Sequence, residues 1–189
     1  MKTLFYIIIL ALLSTCEKES PIELNNQAIE LFSHGKSSEA KLLLDKAIEI
    51  DPNYILAYRN KLMVLKDLGL NDELIETNRS LIKVEPNNPS NLILMGVLLE
   101  LNHDSSGAMS YYRSADSLCD IILDTLTPSA DPQYSVATTK AQNLKLLGRE
   151  KEANELLENI KSKVSEIYMK EMLDEFIARD RAVFMEFMK

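Results

Sequence analysis

Asp51-Pro52-Asn53 and Glu85-Pro86-Asn87 stand thirty-four residues apart, and so do Gly35 and Gly69. A period of that length constrains the fold strongly. Each copy is one supersecondary unit with an apolar face that only a stacked neighbour covers. With each proline as the thirty-second residue of a unit, the repeats run 21–54, 55–88 and 89–122. Inside a unit the apolar residues recur at three- and four-residue spacing. The stretch Glu39-Ala40-Lys41-Leu42-Leu43-Leu44-Asp45-Lys46-Ala47-Ile48 mixes small and large apolar side chains on one face, the pattern of an amphipathic helix. Gly35 offers a helix stop, and Ser37-Ser38-Glu39 after it offers an N-cap. No stretch alternates apolar and polar residues long enough to predict a strand. The expected fold class is all-α, a stack of helix hairpins.

The residues inside the units carry a resemblance. Repeat one has Leu24, Ala28 and Leu31 on its first helix, Ala40, Leu44 and Ala47 on its second, and Pro52 at its close. Repeat three has Leu92, Met95, Gly96 and Leu99, then Ala108, Tyr112 and Ala115, with Asp120 in place of the proline. This pattern of large and small residues resembles the tetratricopeptide repeat. Repeat two matches at Tyr58 and Leu65. It has Leu62, Leu74 and Leu81 where small residues are expected, and Asn78 at the usual aromatic position. Its helices are therefore expected to pack more widely or to cross at a different angle. A fourth unit, 134–167, follows an insertion over 123–133 whose Thr127-Pro128-Ser129-Ala130-Asp131-Pro132 reads as a loop. That unit has Gly148 at the turn, with Ala137, Ala141, Leu144, Ala153, Leu157 and Ile160.

The resemblance implies a right-handed solenoid whose first helices line a concave face. Four positions per repeat would face that groove: Ile22, Asn25, Ile29 and Phe32, then Leu56, Arg59, Met63 and Lys66. They continue as Ser90, Ile93, Val97 and Glu100, then Ser135, Thr138, Gln142 and Lys145. Some relatives grip a peptide carboxylate through a fixed set of lysines, asparagines and an arginine, and only Asn60 matches that set. The implied site is an apolar groove with isolated polar groups: Asn25, Ile29, Arg59, Asn60, Met63, Lys66, Ile93, Val97 and Glu100. Arg59 and Lys66 beside Met63 would favour an acidic, amphipathic peptide.

The two ends of the chain are different. After Lys2, Leu4 to Leu13 form a ten-residue apolar run. As a helix it would span about 15 Å, half of a bilayer core, which suits a secretory signal better than a membrane span. Leu13-Ser14-Thr15-Cys16 then resembles the lipobox of bacterial lipoproteins, with Thr15 a weaker choice before the cysteine. The resemblance implies removal of residues 1–15 as a signal peptide, acylation of Cys16, a short tether over 16–20 and residence at the bacterial envelope. The outer membrane is favoured, with the chain facing the periplasm or the surface. An ordinary cleaved signal and an uncleaved anchor are the other readings. Cys119 would then lack a disulfide partner and pack as a small core residue. Beyond Ser165, Ile167, Tyr168, Met172, Phe176, Ile177, Phe184, Phe187 and Met188 form an apolar stripe. It predicts a capping helix over 168–189, in preference to a helix that lies in the groove or one that serves docking or dimerisation.

Catalysis finds little material here. A formal net charge of −8 argues against nucleic acid, and five scattered glycines form no phosphate-cradling loop. His34 and His103 fall at turns, and no zinc or nucleophile motif is present. No cofactor or metal is expected. The sequence points to a non-catalytic scaffold for an unidentified protein or peptide. The alternatives are an accessory or assembly subunit of an outer-membrane complex and, third, a small helical enzyme.

Overall fold

The computed structural model describes residues 19–125 and 134–188, and among them there are helices and no strand. Ten helices follow in order: α1 (Pro21–Ser33), α2 (Ser37–Ile50), α3 (Ile55–Asp67), α4 (Asn71–Val84) and α5 (Pro89–Leu101). The rest are α6 (Ser105–Thr125), α7 (Ser135–Leu146), α8 (Glu150–Lys163), α9 (Ile167–Ala178) and α10 (Arg181–Met188). The first eight pair into four successive hairpins, each stacked on the next. The molecule is an all-helical solenoid.

One backbone device closes the first helix of every hairpin. Gly35, Gly69 and Gly148 have φ of 74°, 67° and 75°. Beyond them, the amides of Lys36, Leu70, Asp104 and Arg149 reach back to the carbonyls of Leu31, Leu65, Leu99 and Leu144. This six-to-one bond needs a left-handed residue at its corner, which glycine adopts without strain. In repeat three the corner is His103, with φ of 65°. The turn therefore imposes its geometry even where the sequence supplies a side chain.

Small residues set the helix crossings. Ala28, Ala40, Leu44 and Ala47 are fully buried in repeat one, and their cluster extends to Ala57 and Val64 of the next repeat. A leucine buried to this extent contributes roughly 1.5–3 kcal/mol. The two helices of repeats one and three lie close together, and those of repeats two and four less so.

Several expectations need correction. Ser37 is not the cap of α2 but its first residue; Lys36 holds the cap position. The Ser37 hydroxyl instead donates to Asp67 of the following repeat at 2.5 Å. The insertion does not begin at 123, because α6 runs on to Thr125. Without a proline at Asp120, nothing stops the helix at the usual place. The C-terminal segment is two helices and not one, with Arg179 and Asp180 between them.

Candidate functional site

The first helices α1, α3, α5 and α7 carry the concave positions, and neighbours along this row differ in how closely they approach. α1 packs against α3, and α5 against α7, whereas α3 and α5 make no comparable approach. A cleft of about 710 Å³ opens at that joint, lined by Leu62, Met63, Lys66, Gly69, Asn71, Leu74, Ile75, Leu94, Leu98, Leu101 and Asn102. Leu62 and Leu74 stand where the repeat pattern asks for small residues. Both side chains line the cleft. Met63, on the concave side, is 46% exposed. The cleft brings Met63 and Lys66 together.

The remaining candidates are placed as follows. Asn25 is buried, and its carbonyl oxygen accepts from the Asn60 amide at 2.7 Å. Ile29 is half-buried on α1. Arg59 donates to both carboxylate oxygens of Glu85 at 2.9 Å. Glu85 also accepts from Asn88 at 3.0 Å and from Asn91 at 3.1 Å. Burial opposes ionisation of this carboxyl, yet the bonds from Asn91, Asn88 and Arg59 outweigh it and hold its pKa below the ordinary value of 4.5. Arg59 therefore serves the joint between repeats two and three. The sequence signal for this hub was the Glu85-Pro86-Asn87 closing motif, which marks a turn but not its partners.

On repeats three and four, Ile93 and Val97 line a smaller groove of about 220 Å³ with Ser90, Leu94, Thr139, Gln142 and Leu146. Val97 is buried at its floor. At its far end Glu100 accepts from the Tyr112 hydroxyl at 3.0 Å and pairs with Arg181 of α10. Burial, then the nearby Glu100, pushes the Tyr112 phenol pKa far up. Lys145 is 1% exposed, and its amine donates to the carbonyls of Phe176 at 2.7 Å and Ile177 at 3.0 Å, and to that of Arg179. Burial lowers its pKa from 10.5, with Glu150 and Asp180 opposing. Lys145 was a concave position by the repeat frame, but α9 covers it.

Cys119 is fully buried, and its thiol is pushed up to about 11 by burial and then by Asp116, which suppresses the reactive thiolate. His34 packs its Nδ1 against the Glu30 carbonyl at 2.7 Å, as a turn residue. Among the described residues no group of three or more His, Cys, Asp or Glu is arranged to hold a metal. No described helix is long and apolar enough to cross a membrane. Cys16, the signal segment and the loop Thr127–Pro132 lie outside the described residues.

No family model and no curated protein matches the chain. Solved structures do. TTC0263, a thermophilic TPR protein of Thermus thermophilus, is 17% identical, with a TM-score of 0.54 over 84% of this chain and 82% of that one. PilW, a type IV pilus biogenesis factor, is 18% identical, with a TM-score of 0.52 over 79% of this chain and 64% of that one. PcrH, solved in complex with the chaperone binding region of PopB, is 15% identical, with a TM-score of 0.51 over 69% of this chain and 97% of that one. These likenesses concern the fold.

Proposed function

We propose that this chain, a helical solenoid of tetratricopeptide type, is a non-catalytic scaffold that holds a peptide or protein segment against its concave face. The observation that carries the reading is the 710 Å³ cleft between α3, α4 and α5. Its lining is mostly leucine, isoleucine and methionine with Lys66, Asn71 and Asn102 as polar groups, the usual make-up of a ligand cleft, and Met63 is exposed in it. The cleft suits an apolar anchor residue on an amphipathic segment. Arg59, already bound to Glu85, adds no preference for an acidic partner. The PcrH complex supports the reading, since that neighbour was solved with a segment of another protein.

We further propose that acyl chains on Cys16 tether the solenoid to a bacterial envelope membrane, the outer membrane first. α1 begins at Pro21, so the tether of residues 16–20 reaches about 17 Å at full extension and keeps the solenoid near the surface. Several chains make such an anchor durable, at roughly 0.8 kcal/mol per buried CH₂. A pilus biogenesis factor among the structural neighbours favours the second reading, an assembly role in the same compartment.

Two exposed residues make the test. Met63→Asp should abolish recovery of the partner from detergent-solubilised membranes. Ile121→Asp, on α6 and 61% exposed, should leave it intact. Equal recovery with both would refute the groove. The anchor is tested by Cys16→Ser, which should move the protein from the detergent phase to the aqueous phase.

A further inference from the structure

The last two helices are held in different ways. On α9, Leu173 is fully buried and Phe176 and Ile177 pack on the repeat-four core. The amine of Lys145 fills carbonyls that the end of α9 would otherwise leave open. Among the described side chains of α10, two make contacts with the repeats. The Arg181 guanidinium donates to the Leu146 carbonyl at 2.9 Å and pairs with Glu100. Met185 rests on the cluster that contains Val97, Ala108, Tyr112 and Leu146. Ala182, Val183 and Glu186 are exposed. Eight residues are too few for a helix to persist alone in water, so the order of α10 depends on what it touches.

The cluster it touches adjoins a groove. Val97 and Leu146 belong both to the cluster under Met185 and to the open 220 Å³ groove between α5 and α7, and Ile93 packs on the one and lines the other. α10 thus covers the Glu100 end and leaves the Ser90 and Thr139 end open. We infer that Arg181–Met188 is an intramolecular plug that covers the Glu100 end of this groove, where a ligand segment would enter. A partner segment entering at the Glu100 end must displace it, and must bring its own cationic group to the carboxylate that Arg181 leaves. The inference rests on the concave face being the binding surface, and adds how half of it is gated. Competition by a tethered segment lowers apparent affinity by the fraction of time the groove is free.

A fluorescent synthetic peptide of residues 179–189, titrated into the full chain, tests this. It should bind the Arg181→Ala/Met185→Ala variant at least about ten-fold more tightly than wild type, because the resident segment no longer competes. Adding Glu100→Gln should remove most of that gain. In wild type, amides of 182–188 should exchange with deuterium much faster than those of 170–178. Equal peptide affinity for the two proteins, no binding to either, or equal protection of both helices would overturn the plug. A concentration-dependent dimer lost in the double variant would also overturn it, by assigning α10 to a second copy. The Met63→Asp result does not depend on α10, so failure of the plug and failure of the concave-face reading are distinguishable.

Discussion

Repeats two and three share one frame, yet they place their bulk on opposite sides of the helix crossing. In repeat three, Gly96 on α5 leaves room for the Tyr112 ring of α6, which is fully buried; a Cβ on Gly96 would overlap that ring. At the same two positions repeat two has Leu62 and Asn78. The large residue has moved to the first helix and the smaller one to the second. Repeats one and four follow repeat three, with Ala28 and Leu44, and Ala141 and Leu157. A repeat position is thus constrained as one member of a volume pair, and a departure at one is offset at the other. The exchange has a consequence. Asn78 is fully buried, its amide donates to the Asn91 carbonyl at 3.0 Å, and its own carbonyl oxygen finds no partner. Leu62 borders the open cleft, whereas the Gly96 crossing is closed and Met185 of α10 packs on the cluster beside it.

The comparison breaks most visibly at Gly96. Gly96→Ala should destabilise the chain by about 2–3 kcal/mol in urea unfolding, the upper range for overpacking, despite the better helix propensity of alanine. An unchanged midpoint would mean that the ring does not fill that space. The next effect is a coupling. Asn78→Leu alone should be destabilising, because it puts bulk on both helices of repeat two. Combined with Leu62→Ala, it should recover about 1–2 kcal/mol relative to additivity. Strict additivity in that double-mutant cycle would separate the two positions. A smaller gain is expected at the turn. His103→Gly should stabilise by roughly 0.5–1 kcal/mol, since the left-handed corner strains any side chain. The equivalent change at Gly69, to histidine, should cost a similar amount.

The smallest effect concerns the joint between the two repeats. The folded pKa of Glu85 lies below its ordinary 4.5, so its stabilising contribution is complete above that value. It is lost as pH falls through the lower folded value. The difference in stability between wild type and Glu85→Gln should therefore be constant near neutrality and shrink only below about pH 4.5. A difference that is already shrinking between pH 7 and 6 would implicate another group.

These contrasts explain which parts of the molecule were legible in the sequence. The thirty-four-residue period located α1 to α6, and a frame shifted to the Gly148 turn located α7 and α8, because helix hairpins are specified by local spacing and by turns such as Gly35 and Gly69. His103 was readable as occupying the glycine site, but its left-handed backbone follows from the turn and not from the residue. The long α6 was foreshadowed by the missing proline at Asp120. The break at Arg179 and Asp180 carries no glycine or proline to announce it. The pairings of Arg59 with Glu85, Lys145 with the end of α9, and Glu100 with Arg181 join residues 26 to 81 positions apart. Charged residues are common on helix faces, so nothing local marks these particular ones. The repeat frame put Met63 and Lys66 on the concave side without indicating that a cleft lined by Leu62 and Leu74 would open beside them.

The central claim is that the joint between repeats two and three is open to a partner, while the groove of repeats three and four is covered from within at its Glu100 end. A photo-cross-linking residue placed in turn at Met63 and at Leu147, which packs on the same cluster as Met185, tests it in intact cells. The account predicts that the Met63 probe forms an adduct with another protein, and that the Leu147 probe joins this chain's own residues 181–188. Only intramolecular products at Met63, or the same foreign adduct from both positions, would contradict it.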